Sequence, residues 1–393
     1  MIFSRNIFPV LEKELETKEN IVITGMRQVG KTTILEHLFS KVATGNKIIL
    51  DLENPLNRKI FEEENYDSIW NNLKVFGITN AKKTFIFLDE VQYLPDISRV
   101  VKYFSDHWDV KFILTGSSSY YLKNLFPESM AGRKLIFEVF PLTFPEFLVF
   151  KGINRPQTFS FPQKAQLKNR IAYEKLLPYF KEFMEFGGFP RIVLEQNPQR
   201  KKALLLEIFT SYFEQDVKTL SDIKDTSHLR DLILLLIPRI GARVDITKMA
   251  NSLSLSRDTV YSYLAFLEHT YFIAMLSKFS SSIDRRSAGS KKLFFCDSGL
   301  ANALGKMSEG QFLEQSIFQT LRPGYKLNFY YKDGGSEIDF ILDEQSAVEV
   351  KTSASARDIA HLKIRTEIVK LSRYFIISYE YNNRKEVILA TDI

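Results

Sequence analysis

The stretch Ile23-Thr24-Gly25-Met26-Arg27-Gln28-Val29-Gly30-Lys31-Thr32-Thr33, ITGMRQVGKTT, decides how the N-terminal third is read. Residues 25–32 match GxxxxGK(S/T) in full. Upstream, ENIVIT (residues 19–24) reads as a short apolar strand, and downstream TILEHLF (residues 33–39) has helical periodicity. A glycine loop between a strand and a helix can turn its backbone N–H groups inward around phosphates. The helix N-terminus adds partial positive charge. Gly25, Arg27, Gln28, Val29, Gly30, Lys31, Thr32 and Thr33 are therefore expected to hold a nucleotide. Lys31 is expected to reach the β- and γ-phosphates, and Thr32 to ligate Mg²⁺.

A second motif agrees with the first. TFIFLD (residues 84–89) is an apolar strand ending in Asp89-Glu90. An acid at such a strand end can help hold Mg²⁺, so Asp89 joins Thr32 as a metal candidate. The following acid, Glu90, can polarise an attacking water. Two further apolar strands, KIILD (47–51) and KFILT (111–115), belong to the same sheet. The second runs into Gly116-Ser117-Ser118-Ser119, where Ser117 is the candidate for contact with the terminal phosphate. Arg133, in Ala131-Gly132-Arg133 before the strand of residues 134–139, is a candidate arginine finger on its own nucleotide or a neighbour's. Alternating strands and helices imply an α/β domain with a parallel sheet and ligands at the strand C-termini. The order resembles the AAA+ branch of P-loop ATPases, in which a strand lies between the phosphate-loop strand and the Asp-Glu strand.

Composition limits the alternatives. The chain has 393 residues, 45% hydrophobic and 25% charged, which suits two or three globular domains. Its 53 Lys+Arg against 47 Asp+Glu permit nucleic-acid binding without arguing for it. A single cysteine, Cys296, excludes an internal disulfide and a cysteine-built zinc site, and fits a cytoplasmic protein. The apolar run of residues 232–237 is too short to span a bilayer, so no membrane partner is expected.

Past Pro141-Leu142-Thr143-Phe144-Pro145 the pattern becomes helical, interrupted by Gly187-Gly188-Phe189-Pro190, which reads as a connector. RVDITKMANSLSLSRDTVYSYLAFLEHTYFIAML (residues 243–276) reads as helix, short turn, helix, strand. Ile246, Met249, Ala250 and Leu253 line one helix, and Val260, Tyr263, Leu264 and Leu267 the next, with Ser256 as its cap. A basic stretch with Arg285, Arg286, Lys291 and Lys292 and the strand LFFCD follow, so a winged helix is expected. Its second helix, exposing Arg257, Thr259 and Tyr261, would enter a DNA major groove while the wing touches phosphate.

The last hundred residues read as a helix bearing Glu314, then LNFYYKD, a Gly334-Gly335 turn, EIDFILD and AVEVKTS, then a helix and a strand. Glu337 and Asp339 share one face of their strand, as do Glu349 and Lys351 of theirs. Asp339 and Glu349 could thus hold a second metal ion beside Lys351. This αβββαβ order, with Asp339 and Glu349-x-Lys351, resembles the PD-(D/E)XK nuclease superfamily, some members of which carry an extra helical acid where Glu314 falls.

The complete set GMRQVGKTT, FIFLDEVQYLPD, LTGSSSYYL, AGRKLIFEVFPLTFPEF, GGFP, FFCDSGLANAL and EIDFIL…AVEVK spans nearly the whole chain. It resembles the prokaryotic AAA-type ATP-binding proteins with a winged helix and a C-terminal PD-(D/E)XK-like domain. The resemblance implies domains at residues 1–145, 146–300 and 301–393. It also implies ATP and Mg²⁺ as ligands, with DNA and further copies of the chain as partners. The leading expectation is an ATPase coupled to nucleic-acid binding or cleavage. A nucleotide-operated scaffold with an inactive C-terminal domain, and an ATP-dependent transcription regulator, are the rivals.

Overall fold

The computed structural model describes residues 2–117, 133–153, 159–218, 223, 226–280, 290–332 and 336–393. Ser118, Ser119, Ala131, Gly132, Arg285, Arg286 and the Gly334-Gly335 turn lie outside them. The chain forms two compact units, Met1–Phe140 with His269–Tyr271, and Pro141–Glu268 with Phe272–Ile393.

The first unit is built on a five-stranded parallel sheet. Its strands are β1 (Asn20–Thr24), β2 (Lys47–Asp51), β3 (Thr84–Asp89), β4 (Val110–Gly116) and β5 (Lys134–Glu138), in the order β2-β3-β4-β1-β5. β4 therefore lies between the phosphate-loop strand and the Asp-Glu strand. β1, β3 and β4 are buried at every position, as strands covered on both faces must be. The edge strands β2 and β5 are only partly buried. On one face, Trp70 stacks on Phe104 at 4.9 Å between ring centroids, and Trp108 and Phe112 pack edge-on against Phe104. Lys111, the strand neighbour of Phe112, is 1% exposed and donates to the carbonyls of Glu14 and, at 2.8 Å, Thr17. Burial pulls its ammonium down to about 8.

The second unit contains the segments 146–300 and 301–393 packed together. The helices Ile246–Leu253 and Arg257–His269 are joined by a turn in which Ser254 takes φ 54°. Asp245 Oδ1 accepts from Lys248 N (3.0 Å) and Ser256 Oγ from Thr259 N (3.0 Å), so each helix start has a side-chain cap. Strands β6 (Ile273–Leu276) and β7 (Lys292–Phe295) then pair antiparallel. A second sheet holds β8 (Leu327–Lys332), β9 (Ser336–Leu342), β10 (Ser346–Lys351), β11 (Arg373–Ser378) and β12 (Val387–Leu389), in the order β12-β11-β10-β9-β8. β8, β9 and β10 form an antiparallel meander, and β11 and β12 add in parallel. The helix Glu309–Leu321 precedes the meander and Ala356–Ile368 follows it, each opened by a capping box. Phe318 of the first stacks on Phe294 at 4.3 Å, and Leu362 of the second joins Ile338, Ile341, Ala347 and Ile376 in a core.

Gly187-Gly188 is more than a connector. Asp297, fully buried, accepts from Gly188 N (2.6 Å), Leu300 N (2.9 Å) and Gln319 Nε2 (3.0 Å). Gln319 also donates to Leu142 O (3.1 Å) and accepts from Ser298 N (3.0 Å). No larger residue fits at Gly187, where φ is +75° and a Cβ would lie 1.9 Å from Asp297 Oδ1. A Cβ on Gly299 would meet the carbonyl of Phe186 at 2.1 Å. The neighbouring Cys296 is buried, and burial pushes its thiol well up.

Burial also raises the Asp297 carboxyl from 3.8 to about 6, outweighing its hydrogen bonds. Between those values the folded chain holds a proton that the unfolded chain releases, so rising pH favours unfolding there. The stabilisation is complete below pH 4 and lost as pH climbs through 6. We predict that the stability advantage of wild type over Asp297→Asn falls by about 3 kcal/mol between pH 4 and pH 7. Urea-unfolding midpoints of both proteins across that range measure it.

Candidate functional site

In the first unit, β1, β3 and β4 deliver their C-terminal ends side by side. The loop after β1 takes unusual backbone angles, with φ 157° at Gly25, 64° at Gln28 and 97° at Gly30. At Gly25 a Cβ would lie 2.1 Å from Val139 O, so glycine is obligatory. Buried Val29 is held by its carbonyl, which accepts from Arg5 Nη1 at 3.1 Å. Gly30 is the N-cap of the helix Lys31–Lys41, and no side chain caps that end. The first-turn N–H groups, with Thr32 and Thr33 exposed beside them, are thus presented for an anion.

The side chains converge. Lys31, only 4% exposed, donates Nζ to Gly25 O (3.0 Å), Met26 O (3.1 Å) and Ser117 Oγ (3.5 Å). Ser117 Oγ donates in turn to Glu90 Oε2 at 3.0 Å. Thr32 Oγ1 donates to Asp89 Oδ2 at 2.6 Å. Lys31, Thr32, Asp89, Glu90 and Ser117 are therefore brought together, with Arg27 near enough for its charge to act on Glu90. Burial opposes ionisation of Glu90, but Lys31, the Gln92 amide, Arg27 and Ser117 together hold its carboxyl below the usual range. Asp89 is pushed the other way, chiefly by burial.

Two residues escaped the sequence reading. Thr115, at the end of β4, donates to Asp89 Oδ1 and accepts from Glu90 N at 3.1 Å. It fixes both acids through one hydroxyl, and Glu90 takes φ 53° beside it. Gln92 donates to Glu90 Oε2. A polar residue ending an otherwise apolar strand was the available signal for Thr115.

Arg133 is not brought to this site. Asn20, the first residue of β1, pairs with Lys134, so Arg133 lies at the opposite end of the sheet from Gly25. A strand of five residues separates those ends by about 15 Å. Arg133 instead pairs with Asp106 at 2.9 Å, and it does not serve as a finger on its own nucleotide in this arrangement.

The second unit places Asp339, Glu349 and Lys351 close together but commits them elsewhere. Asp339 stands where β9 and β10 part, after the pair Phe340–Val348, and its Oδ2 accepts from Val350 N at 2.9 Å. Its Oδ1 lies 3.4 Å from Lys292 Nζ. Glu349, 3% exposed, is bound by Arg365 and lies 3.6 Å from Lys351 Nζ. Burial raises the Glu349 carboxyl, and Asp339 adds to the rise. Among the described residues no three acids or other ligands are grouped to hold a metal ion. Asp339 and Glu349, expected to hold a second metal ion, each lie against a side-chain cation instead. Lys292, expected on a phosphate-touching wing, is instead 1% exposed, whereas Lys291 is partly exposed and lies 3.7 Å from Glu268.

Beside these strands, Arg243, Lys248, Arg257, Tyr261 and Tyr331 line a cleft of about 680 Å³, with the acids Asp245 and Glu337 at its wall. The Arg243 guanidinium lies 3.6 Å from the Tyr331 ring centroid, in cation–π contact.

Comparison with known proteins follows the same division. Residues 17–148 match the family model "AAA domain", and residues 177–311 match a "Domain of unknown function (DUF8612)". The uncharacterized protein MJ1544 of Methanocaldococcus jannaschii is 31% identical over 349 residues, covering 85% of this chain and 75% of that protein. The chain belongs to the MJ1544 family. An uncharacterized protein of Haemophilus influenzae is 25% identical over 389 residues, covering 92% of this chain and 91% of its own. Uncharacterized protein Rv2008c of Mycobacterium tuberculosis is 24% identical over 318 residues, covering 80% and 63%. Among solved structures, the Aeropyrum pernix ORC2 protein in its ADP form aligns at TM-score 0.35 and 14% identity, over 69% of this chain and 86% of that one. The Thermotoga maritima RuvB Holliday junction branch migration motor aligns at 0.30 and 16% identity, over 68% and 85%. The match over residues 17–148 and the five-stranded parallel sheet make the first unit an AAA-type α/β domain. Among the described residues no helix is long and apolar enough to cross a membrane.

Replacing Thr115 by Val keeps the shape and deletes the hydroxyl. Asp89 and Glu90 N would each lose a buried partner, and we expect a loss of about 2 kcal/mol in urea unfolding.

Proposed function

We propose that the protein is a P-loop ATPase whose second unit binds nucleic acid rather than cutting it. The observation that carries the ATPase reading is the convergence of Lys31, Ser117 and Glu90 beside the uncapped helix start at Gly30. The residues suit a nucleoside triphosphate. The loop N–H groups and Lys31 would hold the phosphates, and Arg27, Gln28, Val29 and Thr33 form the rest of the cradle. Thr32 Oγ1 and Asp89 Oδ2, 2.6 Å apart, are the oxygen donors that Mg²⁺ prefers and would hold it with the nucleotide. That ion, when bound, would neutralise charge on the phosphates.

Glu90 is the group to activate water. It is ionised, which a proton acceptor must be, and Ser117 and Gln92 fix its Oε2. Thr115 holds its backbone, so the carboxylate is aimed before substrate arrives. Lys31 and Ser117 are linked, so a terminal phosphate that draws Lys31 away from Gly25 O also alters the Ser117–Glu90 contact. This would tie the state of the nucleotide to the position of the base.

The nucleic-acid reading rests on the cleft of Arg243, Lys248, Arg257, Tyr261 and Tyr331, which joins cations for phosphates with aromatic faces for bases. The reading without cleavage is supported by Asp339 and Glu349, both engaged by side-chain cations. The ATPase and DNA functions would be coupled by a change of conformation. A transcription regulator would use the same helix near Arg257, with sequence preference added. Self-association and an arginine finger from a second copy belong to the same proposal.

We expect Lys31→Ala to abolish ATP turnover while the circular dichroism spectrum is unchanged. Glu90→Gln should keep binding of a fluorescent ATP analogue and lose about 10²–10⁴-fold in phosphate release. Unaltered turnover in either variant would remove the ATPase assignment. For the second unit, Arg257→Ala should weaken salt-dependent DNA binding and erase any footprint. Mn²⁺-dependent DNA cleavage should be absent in wild type and Glu349→Ala alike; cleavage by wild type alone would restore the nuclease reading.

A further inference from the structure

The carboxylates of the second unit are not left without a cation. Lys292, the first residue of β7, runs inward and is 1% exposed. Its Nζ lies 2.7 Å from Glu314 Oε1, 2.9 Å from Glu337 Oε1 and 3.4 Å from Asp339 Oδ1. An ammonium has three N–H donors, and three carboxylates surround this one. The acids come from the helix Glu309–Leu321 and from β9, so a single atom joins three elements of the unit. The other Glu314 oxygen, Oε2, packs over Gly241, where an added Cβ would meet it at 2.6 Å. Desolvation opposes the charge on Lys292, but Asp339, Glu314 and Glu337 overcome it and hold the ammonium protonated far above the ordinary lysine range.

The spacing is that of an ammonium, not of a metal. Mg²⁺ takes oxygen at about 2.0–2.1 Å and Ca²⁺ at about 2.3–2.6 Å. All three oxygens would have to close in for either ion to sit where Nζ lies. With Lys292 in place, its ammonium already occupies the space between the three oxygens, so a metal ion would have to displace it.

We propose that Lys292 is a tethered cation that fills the Glu314–Glu337–Asp339 cluster in place of a divalent metal ion, and that removing its ammonium converts the cluster into a divalent-cation site. The remaining ligands would be carboxylate oxygens, which select hard ions such as Mn²⁺ and Ca²⁺. The inference goes beyond the nucleic-acid reading and does not need it, because a chain that binds no DNA would leave it standing.

The test is Mn²⁺ binding to the full chain without nucleotide, followed by electron paramagnetic resonance, in wild type, Asp339→Asn, Lys292→Met and the double variant. Wild type and Asp339→Asn should bind the same number of ions. Lys292→Met should bind one more per chain, at least tenfold tighter than any background binding, and the double variant should lose it. Millimolar Mn²⁺ should raise the melting temperature of Lys292→Met and leave that of wild type unchanged. An ion that wild type binds and Asp339→Asn loses would overturn the proposal, and so would a folded Lys292→Met that gains none. If Lys292→Met does not fold, the comparison of wild type with Asp339→Asn decides: equal binding supports the proposal and unequal binding overturns it.

Discussion

The second unit depends on one buried carboxylate. Asp297 takes hydrogen bonds from Gly188, Leu300 and Gln319, three points far apart in the chain. An ionised group in a dry interior is costly, and these donors offset that cost only in part, so the carboxyl stays above its usual range. The same contact demands glycine at 187, and the close approach of the Phe186 carbonyl demands it at 299. Gln319 extends the network to Leu142 at the start of the unit. Segments that look like separate modules along the chain, residues 146–300 and 301–393, are therefore stitched into one folded body.

The first unit was legible because its chemistry is local. Gly25, Gly30, Lys31 and Thr32 lie within eight residues, and their spacing alone prescribes a phosphate loop. Asp89 and Glu90 end a wholly apolar run, which marks the buried strand and the point where it surfaces. The strand between the phosphate-loop strand and the Asp-Glu strand was implied by the resemblance to AAA+ ATPases, and the sheet has it in β4. Thr115 was harder, since a threonine ending a strand is common, and only its register against Asp89 gives it a role. Arg133 was not placed by the sequence, for the converse reason. It stands close to a strand in the sequence, but a parallel strand starts at the end of the sheet away from the loops that bind ligands.

The second unit was legible in its elements and not in its pairings. The helix cap at Ser256 is written in the chain, as are the alternating strands from Leu327 onward. Asp339, Glu349 and Lys351 were read as a set because they are near one another along a hairpin. The cations that engage the two acids come from elsewhere, Lys292 from β7 and Arg365 from a later helix. Nothing in the residues around Lys292 distinguishes it from Lys291, yet one is buried and the other partly exposed. Strand alternation separates them only once the partner strand is known.

Cys296 adjoins Asp297 and is the sole thiol in the chain. Buried and held protonated by desolvation, it is shielded from alkylating reagents while the surrounding network is closed. Cys296 adjoins Asp297 in the chain, so an opening that frees Asp297 from Gly188 is expected to expose the sulfur as well. The rate at which it becomes labelled is thus a built-in clock for local opening of this hub, readable in the unmodified protein and sensitive to whatever ligand the second unit takes.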